Sequence, residues 1–399
     1  MTAPGSAADF LKSLRTFTEF GAPTVEFDDQ GLRYFVNEYW TAGQRQAHSL
    51  HEVSYRACFK PQLPGFLIAR LSGVGDSVYD PFSGRGTTAL QAALMGRRGV
   101  ANDINPLSEM LVAPRFVPPG LTALRDRLES IPAIDVPGPD EPNLSVFYHP
   151  DTLRRLRGLR SWLLERAAAG ILDSVDAWIR MIALNRLTGH SPGFFSVYTL
   201  PPNQAASIVS QTKINTARGQ VPPPRDVGAI ILKKTRSLLV DGPPPAHPPP
   251  LLMTGAASAT PALGDASVDL LVSSPPFLNV VDYEGDNWLR CWFAGIDPRA
   301  VGISHHGGIP AWERFIHDSF VEFARVVRPG GFIGFEVGEV RGGKILLERN
   351  VVAAITGLPF EVMGVMVNQQ SFTKTANCWG VGNNAKGTNT NRIVMLRRS

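Results

Sequence analysis

The segment that most constrains the fold of this chain is residues 77–106, "SVYDPFSGRGTTALQAALMGRRGVANDINP". Residues 77–79 predict the end of a short strand, and glycines then supply a tight turn. Apolar residues at helical spacing predict a helix over residues 87–95, which Gly96 ends. A second short strand follows over residues 98–103. This strand–turn–helix–strand order is typical of the beginning of a doubly wound α/β sheet.

The same alternation returns after residue 250. "VDLLVSSPPF" predicts a buried strand, "AWERFIHDSFVEFARVVRPGG" predicts a helix ended by Pro329-Gly330-Gly331, and "FIGFEVG", "VMGVMVNQQ" and "RIVMLRR" predict further strands. Residues 120–250 instead predict a largely helical region between proline-rich joints, one of them "VDGPPPAHPPP". We therefore expect an α/β domain formed by residues 1–119 and 251–399, with helices on both faces of its sheet and residues 120–250 as an insertion.

Composition limits the class of protein. A hydrophobic content of 44% and a charged content of 19% exclude a disordered chain of 399 residues. A net charge of +4 fits a nucleic-acid partner without requiring one. The three cysteines have no zinc or disulfide spacing, which predicts free thiols. We find no secretory signal and no apolar run of membrane-spanning length, so we expect a cytoplasmic protein without a membrane partner.

The first chemical motif is the turn from Asp80 to Thr87, "DPFSGRGT". Open α/β sheets bind ligands at the carboxyl ends of their strands, glycines let the backbone approach a ligand, and the following helix offers free N–H groups. Asp103, 17 residues after Gly86, is suited to the ribose hydroxyls of an adenosine. The chain lacks the P-loop pattern and the third glycine of a nicotinamide fingerprint. A purely structural turn is the alternative.

The second motif is Ser274-Pro275-Pro276-Phe277, directly after a predicted strand. Two prolines form a rigid turn that donates no backbone N–H. The Ser274 hydroxyl and the Pro275 carbonyl can accept hydrogen bonds from an amino group, and the Phe277 ring offers a flat apolar face. This set fits a flipped-out base held by its amine. A strand-end turn with a buried aromatic residue is the alternative.

Together the two motifs resemble the S-adenosylmethionine-dependent DNA amino-methyltransferases, whose fold is a Rossmann-like methyltransferase sheet. The resemblance covers residues 48–112 and 251–340. It implies S-adenosylmethionine as cofactor, S-adenosylhomocysteine as product and no metal. Serine at position 274 is typical of the cytosine-N4 enzymes. The resemblance implies that the catalytic residues are Ser274, Pro275, Pro276 and Phe277, and that the cofactor-binding residues are Lys60, Pro61, Asp80, Phe82, Gly84, Gly86, Thr87, Thr88, Asp103 and Ile104, with Phe59 beside them.

Two features distinguish this chain from many members of that family: the residue after the third strand, and the order of the two motifs along the chain. The family often has an aspartate after its third strand, where this chain has Gly255-Ala256-Ala257; Asp265 is a candidate substitute. The cofactor motif precedes the amine motif by about 190 residues, which resembles the class with target recognition between the motifs. The inserted residues 120–250 are thus the expected target-recognition region.

We expect double-stranded DNA as the partner. The candidate DNA-binding residues are Lys213, Arg218 and Arg225 in the inserted region, and Asp282 and Tyr283 after the second motif. Alternative functions are an adenine-N6 DNA methyltransferase, an RNA base amino-methyltransferase, a small-molecule methyltransferase and a catalytically silent nucleic-acid-binding protein. The sequence leaves open the recognition sequence, the oligomeric state, a cognate restriction endonuclease, and the roles of residues 368–391, His305 and His306.

Overall fold

The computed structural model describes residues 6–41, 47–56, 58–138, 141–276, 282–302, 308–340, 345–369 and 390–399. In this part of the chain the helices are α1 (Ala7–Arg15), α2 (Gln62–Leu71), α3 (Thr87–Leu94), α4 (Leu107–Val112), α5 (Leu121–Ser130), α6 (Pro150–Ala168), α7 (Ser174–Arg186), α8 (Ile208–Arg218), α9 (Val227–Leu238), α10 (Tyr283–Ala294), α11 (Ile309–Val326) and α12 (Leu347–Ala354). The strands are β1 (Val25–Asp29), β2 (Leu32–Asn37), β3 (Ser77–Asp80), β4 (Arg98–Asp103), β5 (Leu251–Thr254), β6 (Val268–Ser273), β7 (Val327–Val337), β8 (Glu339–Val340), β9 (Ile345–Leu346), β10 (Phe360–Gln369) and β11 (Thr390–Arg398).

Nine of the described strands form one sheet in the order β1-β2-β10-β11-β7-β6-β3-β4-β5. Neighbours from β7 to β5 are parallel, whereas β11 is antiparallel to both β7 and β10. From β3 the chain proceeds through β4 and β5 in one direction, and β6 and β7 lie on the other side of β3. The strand order therefore reverses between β3 and β6, the kind of position where open α/β sheets bind ligands.

Alternate residues of the central strands pack into different hydrophobic clusters. Leu270 and Val272 of β6 pack with residues of α2, whereas Leu271 packs with residues of α11. Because side chains alternate across a strand, this pattern means that helices cover both faces of the sheet. The doubly wound α/β sheet predicted from the sequence is confirmed.

The helices of the inserted region share a hydrophobic cluster with the rest of the chain. Residues of α5, α6, α7 and α9 pack together with Leu107 and Leu111 of α4 and with Phe293 of α10. Leu50, which precedes the first sheet motif, belongs to the same cluster. The helices between residues 120 and 250 thus lie against segments that adjoin both chemical motifs in sequence.

The hairpin of β1 and β2 is an element that our sequence interpretation missed. β2 pairs parallel with β10, so the hairpin extends the sheet on the side away from β3. Its two-residue loop is Gln30-Gly31, and both residues have positive φ, of 52° and 79°. This geometry is typical of a tight hairpin turn and favours glycine. The alternation in "LRYFVN" next to a glycine is the signal that could have revealed the hairpin.

The predicted end of the helix before β7 was placed too late. We expected Pro329-Gly330-Gly331 to end it, but α11 ends at Val326 and β7 begins at Val327. Val327 already pairs with Val268 and is buried, so sheet pairing ends the helix first. The Pro-Gly-Gly segment instead lies where the pairing of β6 with β7 shifts register.

Candidate active site

The carboxyl ends of β3, β4, β5 and β6 surround a cavity of about 240 Å³. Each strand is followed by residues that line it: the turn after β3, residues 103–105 after β4, residues 255–258 after β5, and Ser274 with Pro276 after β6. The two motifs, about 190 residues apart in sequence, therefore face one cavity. Parallel strands bring them together because all of their carboxyl ends lie on the same edge of the sheet.

Of the residues we predicted to bind the cofactor, six line this cavity. They are Asp80, Phe82, Gly84, Thr87, Asp103 and Ile104. Gly84 has φ of +51°, in the left-handed region where a residue without Cβ is favoured. Cys58 and Tyr55 also line the cavity, and both would contact a Cβ added at position 84.

Asp103 is held by the backbone on both oxygens. Its Oδ2 accepts a hydrogen bond of 2.7 Å from the Gly84 amide, and its Oδ1 accepts one of 2.9 Å from the Asn105 amide. Burial raises the pKa of Asp103 to about 6. The two hydrogen bonds act in the opposite direction, because they stabilise the carboxylate. Each oxygen keeps a further lone pair, so the oriented carboxylate can accept hydroxyl groups of a ligand.

Asp80 connects the two motifs beneath the cavity. Its carboxylate accepts hydrogen bonds from the Ser273 hydroxyl and from the Phe82 amide. Burial raises the pKa of Asp80 to about 7, while hydrogen bonds from Ser273, Thr88 and Phe82 act in the opposite direction. Since Ser273 directly precedes Ser274, this contact fixes the end of β6 relative to the glycine turn.

Four predicted cofactor residues do not line the cavity. Lys60 and Pro61 lie at the beginning of α2, where Pro61 is the residue before the first helical turn. The Thr88 hydroxyl donates a hydrogen bond of 3.1 Å to the Val272 carbonyl, which ties α3 to β6. Gly86 has φ of +72°, and a Cβ at this position would lie 2.3 Å from Val112 Cγ2. Thr88 and Gly86 thus contribute to the packing of α3 against β6 and Val112.

In the second motif, Ser274 and Pro276 line the cavity. The Pro276 carbonyl accepts a hydrogen bond of 2.9 Å from the indole N–H of Trp312, a fully buried residue of α11. Pro275 lies between them, and Phe277 lies outside the described residues. The indole therefore anchors the turn that carries Ser274.

Glu336 is a buried carboxyl group next to Ser274 that sequence reasoning missed. It lies near the end of β7, beside β6, and Asn391 donates a hydrogen bond of 3.0 Å to its Oε1. Burial raises the pKa of Glu336, and hydrogen bonds from Ser274 and Asn391 lower it. Glu336 thus lies close enough to Ser274 for the hydroxyl to influence its pKa. No motif indicated this residue, since only the pairing of β7 with β6 brings it to Ser274.

After β5 the cavity wall carries no carboxylate. Ala256 and Ala257 line the cavity, together with Ser258. Asp265, the candidate substitute, forms an ion pair of 2.7 Å with Arg325 and is 80% exposed. It does not line the cavity, so Ser258 is the polar side chain that this strand end offers.

The predicted DNA-binding residues whose side chains the structure describes lie apart from the cavity lining. Lys213 and Arg218 are exposed on α8, and the Arg218 guanidinium lies 3.9 Å from the centre of the Tyr198 ring. Arg225 lines a separate cavity between α5, α6 and α9. Asp282 caps α10 by accepting the Gly285 amide at 2.9 Å. The side chain of Tyr283, and His305 and His306, lie outside the described residues, as do residues 370–389 of the C-terminal segment.

Within the described ranges no group of three or more histidine, cysteine, aspartate and glutamate side chains is arranged to hold a metal ion. None of the helices in the same ranges combines the length and the apolar character needed to cross a membrane.

One segment of the chain is similar to a known family of proteins. Residues 27–109 match the family model N6_N4_Mtase, described as DNA methylase. The matched segment is about a fifth of the chain. The match covers the hairpin, the segment before β3, the glycine turn and Asp103. The glycine turn therefore lies inside the matched segment, and Ser274 lies outside it.

Two curated proteins that are similar to this chain are named type II methyltransferases. M.MjaII of Methanocaldococcus jannaschii is 38% identical over 64 residues, 16% of this chain and 12% of that protein. M.BsoBI of Geobacillus stearothermophilus is 22% identical over 282 residues, 63% of this chain and 54% of that protein. The matches thus span about half or less of each relative. Among solved structures, TrmN from Thermus thermophilus is 13% identical, covers 86% of this chain and 50% of its own, and has a TM-score of 0.33.

Proposed function

We propose that this protein transfers a methyl group from S-adenosylmethionine to the exocyclic N4 of a flipped-out cytosine in double-stranded DNA. The observation that carries this proposal is the single cavity that contains both the glycine turn with Asp103 and the turn with Ser274. The DNA methylase family match supports DNA as the substrate. The serine of the second motif, which is typical of cytosine-N4 enzymes, supports cytosine.

The residues at one side of the cavity fit an adenosine-containing cofactor. Asp103 offers an oriented carboxylate for ribose hydroxyls, Ile104 is 37% exposed and offers an apolar surface beside it, and Gly84 leaves room for close approach of the backbone. When bound, S-adenosylmethionine supplies an activated methyl group. We assign Asp80, Gly86 and Thr88 to the support of this wall, and Lys60 and Pro61 to the beginning of α2 behind it.

Ser274 has the role of accepting and positioning the amine. A hydroxyl oxygen has two lone pairs, so Ser274, which lines the cavity, can accept an N–H of the target base. Accepting N–H groups at Ser274 and at the Pro275 carbonyl localises the amine lone pair and stabilises positive charge that develops on the nitrogen. Trp312 holds the turn in place. Orienting reactants in this way can contribute on the order of 7–11 kcal/mol to catalysis.

We assign target recognition to the inserted residues 120–250. Lys213 and Arg218 are exposed cations on one helix, and Arg218 lies over an exposed aromatic ring, Tyr198. Such side chains are suited to phosphate and base contacts. Arg225, Asp282 and Tyr283 remain candidates by sequence. Whether a restriction endonuclease accompanies the enzyme is a separate question for its genetic context.

The test is to incubate the protein with labelled S-adenosylmethionine and amplified, unmethylated double-stranded DNA, and to identify the labelled nucleoside by mass spectrometry. We expect N4-methylcytosine. Ser274→Ala should reduce the rate on the order of 10²-fold, the loss typical of one hydrogen-bonding group at a developing charge. Ser267→Ala is the matched control, because Ser267 is exposed and bonds only the Gly264 carbonyl among described residues. N6-methyladenine would contradict the cytosine assignment, and label on RNA alone would contradict DNA as substrate.

A further inference from the structure

Arg56 is a cation on the cavity wall that neither motif includes. It lines the same cavity as Ser274, and its side chain is 33% exposed. Its Nη1 bonds Asp286 Oδ1 at 3.0 Å and also bonds Gln204 Oε1. Asp286 belongs to α10, which follows the second motif, and Gln204 belongs to the loop between α7 and α8. Both partners therefore belong to segments other than the glycine turn.

The position of Arg56 is fixed by a buried scaffold. Arg290 of α10 is buried, and its Nη2 donates hydrogen bonds to the carbonyls of Ser54 at 3.3 Å and Pro202 at 2.6 Å. Its Nη1 donates a hydrogen bond of 2.6 Å to Asn287. Arg290 thus ties together the three segments that carry Arg56, Gln204 and Asp286. A guanidinium held by such a scaffold loses little side-chain entropy when it binds a ligand.

Two N–H donor groups of the Arg56 guanidinium remain available to a ligand. The described residues supply hydrogen-bond acceptors to Nη1, and none of them accepts from Nη2 or Nε. These two groups point in parallel from one edge of the guanidinium and match a pair of adjacent acceptors. A flipped-out cytosine has such a pair, because N3 and O2 lose their hydrogen bonds to guanine when the base leaves the duplex. Left unpaired in a cavity, these acceptors would weaken binding.

We propose that Arg56 determines base specificity by donating two hydrogen bonds to N3 and O2 of the cytosine whose N4 lies at Ser274. This inference rests on the proposed cytosine-N4 activity. Adenine offers only N1 beside its amine, followed by a C–H group, so it can satisfy one of the two donors. Asp286 and Gln204 act as positioning residues, since each fixes the guanidinium through Nη1.

The test uses Arg56→Lys, which keeps the charge but removes the two-donor edge. A bidentate contact of this type discriminates bases by roughly 5- to 150-fold. We expect kcat/KM for N4-methylcytosine formation to fall by that factor, and the ratio of N4-methylcytosine to N6-methyladenine to fall with it. Asp286→Asn should change the ratio in the same direction. Arg397→Lys, an exposed arginine at the far end of β11, is the matched control and should change neither.

Affinity for S-adenosylhomocysteine, measured by calorimetry without DNA, separates this role from cofactor binding. We expect it to stay within about twofold of wild type in Arg56→Lys. A large loss of this affinity would overturn the inference, because Arg56 would then bind the cofactor. An unchanged rate and base ratio would also overturn it while leaving the proposed function intact. A wild-type protein that forms no N4-methylcytosine would refute the proposed function itself.

Discussion

The two glycines of the turn after β3 are expected to fail in different ways when replaced by alanine. Gly86 has φ of +72°, and an alanine in this conformation is destabilised by about 1–2 kcal/mol. Its Cβ would also lie 2.3 Å and 2.7 Å from the two Cγ atoms of Val112, so rotating that buried valine brings no relief. Overlap of this kind costs about 1–3 kcal/mol. Gly86→Ala should therefore lower the free energy of unfolding by roughly 2–5 kcal/mol.

Gly84 provides the matched comparison. At its φ of +51°, an alanine would lose about 1–2 kcal/mol of stability, as at position 86. The nearest atom to the new Cβ, however, is Cys58 Sγ at 3.3 Å, and a small shift of that side chain relieves the contact. This contact lies in the cavity wall. Gly84→Ala should therefore destabilise less than Gly86→Ala, and should weaken S-adenosylhomocysteine binding by roughly 5- to 150-fold.

Urea unfolding followed by tryptophan fluorescence measures the first effect, and calorimetric titration measures the second. A double-mutant cycle isolates the steric part. In a Val112→Ala background the methyl groups that clash are gone. Gly86→Ala should then lower the free energy of unfolding only by the backbone conformational penalty of about 1–2 kcal/mol. An equal cost in both backgrounds would refute the steric argument. A Gly86→Ala variant as stable as Gly84→Ala would refute the assignment of Gly86 to packing.

Three further predictions concern the ligand side and the sheet. The pKa of Asp103 is near 6, so affinity for S-adenosylhomocysteine should fall as the pH drops through 6, and Asp103→Asn should abolish this dependence in calorimetric titrations from pH 5 to pH 8. Trp312→Phe removes the hydrogen bond to Pro276, and should lower kcat in the methyl-transfer assay by more than it changes cofactor affinity. Gly99→Ala would place a Cβ 2.4 Å from the Ala89 carbonyl oxygen, and should lower the free energy of unfolding by about 1–3 kcal/mol or more in urea titrations.

The burial of Asp80 adds a prediction about stability. Its folded pKa of about 7 lies above its ordinary value of 3.8, so the folded protein binds a proton that the unfolded chain has released. The contribution of this group is therefore fully present below pH 3.8 and is lost as the pH rises through 7. Relative to Asp80→Asn, the wild-type protein should lose stability between pH 5 and pH 8 in urea titrations. A parallel pH dependence in the two proteins would contradict this.

The sequence by itself determined the sheet and the identity of both motifs. Strand-ending turns, the helix after the glycines and Asp103 are local features, since their patterns arise from backbone preference and side-chain periodicity within a few residues. The strands β10 and β11 followed from the same kind of pattern. The hairpin of β1 and β2 was missed because β1 is almost wholly exposed, so one of its two strands has no buried face to give a hydrophobic pattern.

Only the tertiary structure decided what surrounds the cavity. Glu336 reaches Ser274 through the pairing of β7 with β6, and Arg56 is oriented by residues 148 and 230 positions further along the chain. It also separated Gly84, on the cavity wall, from Gly86, packed against Val112. Such contacts join residues distant in sequence, and burial, which raises the pKa of Asp80, Asp103 and Glu336, exists only after the chain has folded. Local pattern fixes the type of residue at a turn, whereas its neighbours and its charge state depend on packing between elements.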